Sequence, residues 1–341
     1  MDNFKQTMIE EAEFAKIKIE KLKKKDSVIF PLFTDLHTDD CNHEYTKKLI
    51  YMLKCVTEKI EYDAVIDLGD NFRMLGREIQ IKNDELEKRF EDVFKAIYET
   101  VQHPIINVNG NHDGVGTDFF KPDFWNNIVK NKYGNTLAVY DDFGSYYYID
   151  YEKADTRLVV LSLPSDSDVK SNMPAPAWEF GKQQLKWLKN TALNTEKYVI
   201  ILCHVPLYYK YTGDKESTLA VWDGECEKQS YISELCGEIK DIDEAAEILN
   251  SFNKETKGRL VTAISGHTHK DSTWHPMEQK DEFKNPLSCC QFVTMASCSS
   301  YGIERIKGAS MDILVWTPSE GELNLIRVGD GQDRNVSFLK K

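Results

Sequence analysis

Five apolar segments of this chain each break off into a polar turn carrying His, Asp or Asn. VIFPLF runs into Asp35-Leu36-His37, AVIDL into Gly69-Asp70-Asn71, and IINVN into Gly110-Asn111-His112-Asp113. YVIILC runs into His204-Val205-Pro206, and RLVTAIS into Gly266-His267-Thr268-His269. Short, almost wholly apolar runs read as strands covered on both faces. Between the first three lie helical patterns: Leu49, Met52, Leu53, Val56 and Ile60, then Leu86, Phe90, Val93, Phe94 and Ile97. Strands that alternate with helices pair side by side, and the loops leaving one end of such a sheet converge on a crevice where ligands bind. Five of the eight histidines fall in these turns.

The rest of the chain adds antiparallel strands. YYYIDYEKADTRLVVLSLP predicts a hairpin turning near Lys153 to Thr156, and QFVTMASC, MDILVWT and ELNLIRV predict further strands, the last two joined by PSEG. A helix is expected with Trp178, Gly181, Leu185 and Leu188 on one side, and another through Ala245, Ile248, Leu249 and Phe252. The expected fold is α/β: layered mixed β-sheets forming a sandwich core, flanked by helices in a four-layer α/β/β/α arrangement. Residues 1–26 read as a helical leader docked through Phe4, Met8, Phe14 and Ile17. Residues 27–334 read as a single domain with a cap or lid insertion over 207–258, and 335–341 as a C-terminal tail.

Histidine nitrogens and carboxylate oxygens suit Zn, Mn or Fe, whereas no CxxC pair marks a structural thiolate site. Asp35 and His37 are two residues apart and can turn toward one ion if the strand ends between them. His267 and His269 share that spacing but can straddle two ions, and Asp70 is the natural bridging carboxylate, one oxygen to each cation. Each motif alone has an ordinary explanation as a loop, a turn or a satisfied core histidine. Five in succession at strand ends do not.

Taken together, the D-x-H, GD, GNHD, H and GHxH blocks resemble the calcineurin-like metallophosphoesterase superfamily, in a bacterial-type form, in family order over residues 35 to 269. The resemblance implies two divalent or mixed-valence transition-metal ions (Mn, Fe or Zn). It assigns Asp35, His37, Asp70 and His269 to one ion, and Asp70, Asn111, His204 and His267 to the other. It also makes His112 the active-site histidine and Asp113 the residue that orients it. The second block departs from the usual GDxxD or GDxxN, placing Arg73 at its last position. That arginine can reach a phosphate oxygen or form a salt bridge on the following helix. The longer GDYVDRG and RGNHE wording of protein serine/threonine phosphatases is missing.

The implied reaction is hydrolysis of a phosphomonoester or phosphodiester by a water or hydroxide whose pKa the metals lower. A nuclease and a non-catalytic scaffold of the same fold are the alternatives. The 56 acidic against 43 basic residues give a net charge of −13, which disfavours nucleic acid and anionic membranes and leaves a small phosphorylated molecule, a nucleotide among them, as the expected partner. Tyr208, Tyr209, Tyr211 and Trp222 in the expected cap can stack on a nucleoside or pack on the cap's own helix. No protein partner is identifiable. Eight scattered cysteines, a charged start and no run approaching 18 apolar residues point to a reduced, cytoplasmic setting. Cys203, Cys289 and Cys290 are expected to be packing residues.

Overall fold

The computed structural model describes residues 2–38, 42–72, 83–101, 104–110, 113, 130, 135–140, 145–162, 179–207, 239, 241–269, 271–276, 287–294, 297 and 309–338. The first apolar segment forms β1 (Val28–Phe33). It pairs in parallel with β2 (Val65–Asp67), which pairs in parallel with β3 (Ile105–Asn107). On its other side β1 lies antiparallel to β11 (Ser310–Thr317), followed by β12 (Glu322–Gly329) and β13 (Arg334–Ser337). The six-stranded sheet therefore has the order β13-β12-β11-β1-β2-β3.

The second sheet is built around β6 (Thr156–Leu161), β7 (Tyr198–Cys203), β8 (Arg259–Ser265) and β10 (Cys290–Val293), all parallel. Antiparallel strands β4 (Val139–Tyr140) and β5 (Tyr147–Tyr151) extend one edge, and β9 (Ser272–Trp274) closes the other. The β5–β6 hairpin turns over Glu152–Asp155, as its sequence predicts.

Strand alternation sorts the apolar residues into three cores. Phe30, Leu32 and Leu314 from one sheet meet Leu158, Ile200, Leu202 and Phe292 from the other. Trp316 is buried at this seam, and its indole N–H donates to Thr156 Oγ1 at 2.9 Å. The outward residues Ile29, Phe33, Ile313 and Val315 pack against α1 (Asp2–Leu22), α2 (Glu44–Thr57) and α3 (Asn83–Tyr98). On the far face, Val199, Ile201 and Cys203 pack against α4 (Gly181–Trp187), its π-helical continuation Leu188–Ala192, and α5 (Ile242–Glu255). The result is the four-layer α/β/β/α sandwich expected from the sequence. Cys289 and Cys290 point to opposite faces and are core residues on both.

Some boundaries differ from the expectations. The leader is helical, but its docking face is Met8, Ala12, Ala15 and Ile19; Phe14 is 63% and Ile17 is 47% exposed. Small alanines let the helix lie close to the sheet, and the bulkier pair falls on the opposite side of the 3.6-residue turn. The C-terminal part of the expected cap is α5, an outer-layer helix, because Ala245, Ala246, Leu249 and Phe252 bury against the second sheet. Residues 208–238 and 240 lie outside the described residues, with Tyr208, Tyr209, Tyr211 and Trp222 among them, as does Trp178. The segment read as a tail begins inside β13, an edge strand held to β12. Among the described residues, no helix is long and apolar enough to cross a membrane.

Candidate metal centre

The polar turns that follow β1, β2 and β8 leave regular strand geometry abruptly. Among the described residues, six non-glycine residues adopt positive φ, and five of them are Asp35 (52°), His37 (46°), Asp70 (57°), His267 (71°) and His269 (59°). L-residues visit this region at a cost, so such a concentration marks backbone held in place by its surroundings in order to aim side chains. Hydrogen bonds outside the strands supply the hold. Asp35 N–H donates to Gly69 O (2.9 Å), His37 N–H to Asp70 O (3.0 Å) and Thr38 N–H to Asn71 O (2.9 Å), zipping the first two turns together.

The motif glycines permit this closeness. A Cβ on Gly110 would lie 2.2 Å from both the Asp70 amide nitrogen and its Oδ1, and one on Gly266 would lie 2.0 Å from Thr34 Oγ1 and 2.7 Å from Asp35 Oδ2. Asp113 ties the second turn to the third. Its Oδ2 accepts from the backbone N–H of Asp70 (2.8 Å) and Gly110 (3.0 Å), and its Oδ1 from that of Asn71 (2.8 Å). The third turn is otherwise outside the described residues at Asn111 and His112, and Arg73 is likewise outside them.

Six of the expected ligands converge as two adjacent groups. Asp35, His37 and His269 form one and Asp70, His204 and His267 the other, with the donor atoms of each group within 4.8 Å of one another. Asp70 faces both: its Oδ2 lies 3.0 Å from His204 Nε2 and 3.9 Å from His37 Nε2. His37 Nε2 and His269 Nε2 approach to 2.9 Å, and Asp35 Oδ1 lies 3.4 Å from His269 Nε2.

These donors suit transition-metal ions. His204 Nδ1–H donates to Leu68 O at 2.8 Å, which turns Nε2 toward Asp70 and keeps it available as a ligand. Asp35 Oδ2 is occupied by the Thr34 hydroxyl (2.7 Å) and the His267 amide (2.9 Å), which leaves Oδ1 facing the imidazoles. Asp35 Oδ1 and His204 Nε2 are buried without a well-directed hydrogen bond, facing only the imidazoles and carboxylates of the two groups, an expensive condition that a cation in each group would remove. Thr34 and the Leu68 carbonyl are supporting groups the sequence did not mark, since neither belongs to a motif and both act through contacts made only in the fold.

Titration follows the same shortage of positive charge. Burial alone would depress His204, but the Asp70, Asp35 and Asp113 carboxylates outweigh it and push the imidazole up to about 10. Burial and then the neighbouring His204 charge push His267 down to about 3. Asp35 is held well below the usual carboxylate range because His269, His37 and His204 overcome its burial. Without cations the carboxylates draw a proton onto His204, whose charge helps to keep His267 neutral, and metal ions would supply the balancing charge directly.

The family model for calcineurin-like phosphoesterases matches residues 32–271. No curated protein matches the sequence. Among solved structures, the chain is similar to a metallophosphoesterase from Sphaerobacter thermophilus, at 12% identity and a TM-score of 0.34, over 92% of this chain and 89% of that one. It is also similar to a 5'-nucleotidase precursor from Thermus thermophilus, at 10% identity and a TM-score of 0.39, over 85% of this chain and 51% of that one. A third is the NAD nucleotidase of Haemophilus influenzae, at 9% identity and a TM-score of 0.30, over 91% of this chain and 49% of that one. The chain thus spans about half the length of each nucleotidase chain. With the family match covering most of the chain and both Asp/His groups in place, the protein belongs to the calcineurin-like phosphoesterases, and its centre is that of a metal-dependent, dinuclear phosphoester hydrolase.

Proposed function

We propose that the protein hydrolyses a small phosphomonoester or phosphodiester, nucleotides included, in the cytoplasm. Asp35, His37, Asp70 and His269 hold one Mn, Fe or Zn ion, and Asp70, Asn111, His204 and His267 hold the other. When bound, such a pair supplies Lewis acidity and a water acidic enough to attack near neutral pH. The observation that carries the reading is the placement of Asp70 Oδ2 between the two ligand groups, within 4 Å of an imidazole from each.

The chain's own residues do the rest. His112 donates its proton to the departing oxygen or stabilises the phosphoryl oxygens, and Asp113, next to it in sequence, orients it; the Asp113 carboxylate itself is anchored by the backbone N–H groups of Asp70 and Gly110. The net charge of −13 disfavours a nuclease, because repulsion of a polyanion acts over many phosphates while a small ester meets only the cationic centre. Among the described residues Cys55, Cys203, Cys289 and Cys290 are buried packing residues, in keeping with a reducing compartment.

The test is turnover by the metal-loaded protein of p-nitrophenyl phosphate, bis(p-nitrophenyl) phosphate and single-stranded DNA, beside Asp70→Ala and His112→Ala. The expected result is hydrolysis of a small ester, abolished in Asp70→Ala. His112→Ala keeps its metal and loses about 100-fold to 10,000-fold in rate. DNA cleavage outpacing the small esters would favour the nuclease, and two retained ions with no turnover on any ester would favour the scaffold.

A further inference from the structure

The C-terminal strands bring two arginines against the turn that carries His267 and His269. Arg327 on β12 and Arg334 on β13 belong to the first sheet, yet both engage Asp271, two residues beyond His269, on the way into β9 of the second sheet. Arg327 Nη2 donates to Asp271 Oδ1 at 2.5 Å, and Arg334 Nη2 lies 3.1 Å from the same oxygen. Both also pair with Asp312 on β11, which is fully buried: Arg327 Nε is 3.1 Å from its Oδ1, and Arg334 Nη2 donates to its Oδ2 at 2.5 Å. Two guanidinium groups thus meet two carboxylates at the seam between the sheets.

Arg334 touches the downstream flank of the metal-bearing turn directly and reaches the upstream flank through β10 and Thr294. On the downstream side its Nη1 reaches Ser272 O at 3.4 Å. On the upstream side Nη1 donates to Val293 O at 2.6 Å and Nη2 to Thr294 Oγ1 at 3.2 Å. Thr294 N–H in turn donates to Ser265 O at 2.7 Å, immediately before Gly266. The turn that carries His267 and His269, both at positive φ, therefore has one guanidinium touching the backbone that follows it and, through Thr294, bracing the backbone that precedes it. A planar fork with several donors can do this, whereas a lysine can satisfy only part of it.

We propose that Arg334, backed by Arg327, Asp271 and Asp312, is a positioning residue for the metal centre: it fixes the His267–His269 turn in its ligating geometry, so metal affinity depends on it. The inference rests on the proposed ligand set. Its test uses the purified full-length protein in two readouts. The first is Co2+ or Mn2+ titration of the metal-depleted protein, with the Co2+ absorption spectrum reporting the ligand field. The second is amide hydrogen exchange over residues 264–274 without metal. Arg157→Gln is the control, since it breaks a comparably buried pair with Asp150 in the β5–β6 hairpin.

Arg334→Gln is expected to weaken metal binding by about 10-fold to 100-fold, the range typical for losing a group that orients ligands. It should also alter the Co2+ spectrum and speed exchange at 264–274, with Arg334→Lys intermediate and Arg157→Gln unchanged in affinity. Wild-type metal affinity in Arg334→Gln, or an equal loss in Arg157→Gln, would overturn the proposal. If Arg334→Gln does not fold, Arg334→Lys and Asp271→Asn carry the same comparison. A wild-type protein that binds no metal defeats the ligand assignment. Exchange at 264–274 without metal then judges the arginine clamp separately: no acceleration in the variant overturns it.

Discussion

Asp35, His37, Asp70, His267 and His269 each hold a positive φ that an L-residue adopts only at a cost of about 1–3 kcal/mol. The cost is met by tight backbone neighbours, and the spacing D-x-H or H-x-H makes sense once both residues of a pair are kinked. That spacing was legible in the sequence; the kink was not, because it depends on amides and carbonyls of other turns. Gly266→Ala tests the closeness. Its methyl would collide with Thr34 Oγ1 and Asp35 Oδ2, so the expected loss is about 1–3 kcal/mol of stability together with a fall in metal content. Denaturant titration with elemental analysis reads both, and an unchanged metal content would show that the turn has room to spare.

Asp67, at the end of β2, makes a second prediction at this scale. Burial, then the Asp113 carboxylate, pushes its carboxyl up to about 8, against hydrogen bonds from the Gly69 amide and the Asn71 side chain. The native chain therefore keeps a proton that the unfolded chain releases near pH 4. The resulting contribution to the metal-free protein is full below about pH 4 and declines to nothing as pH rises through about 8. Asp67→Asn removes it, so midpoints of chemical unfolding at about pH 5 and pH 8 should differ less in the variant than in the wild type. An identical pH dependence in the two proteins would refute the assignment.

Among the elements, α1 shows where pattern reading succeeds and where it misleads. Its helical period was legible, but large apolar residues drew attention to Phe14 and Ile17, whereas Ala12 and Ala15 allow the close approach to the sheet. Met8→Ala should cost about 2–5 kcal/mol by leaving a cavity in the outer core, and Phe14→Ala should stay within about 0.5 kcal/mol. The reverse order in thermal or denaturant unfolding would mean that the helix docks by its other face. The long strands could be read directly, β1 and β7 as almost wholly apolar runs and β8, β11 and β12 as apolar-rich segments interrupted by single polar residues. The short β4 and β9 and the half-exposed β13 carry little hydrophobic signal and owe their existence to a neighbouring strand. Arg327 and Arg334 belong to none of the sequence motifs; their grip on Asp271 exists only because the two sheets pack face to face.

In the whole molecule, two sheets deliver turns from residues 35 to 269 to one place, and a chain of net charge −13 concentrates imidazoles there. Anion binding by such a protein requires local positive charge, which the imidazole-carboxylate groups gain by holding cations. The most direct measurement is anomalous scattering from crystals of the metal-loaded protein with bound phosphate. Two ions per chain are predicted, one beside Asp35, His37 and His269 and the other beside His204 and His267, with the Asp70 carboxylate touching both. A single ion, or a pair that Asp70 does not bridge, would contradict the account.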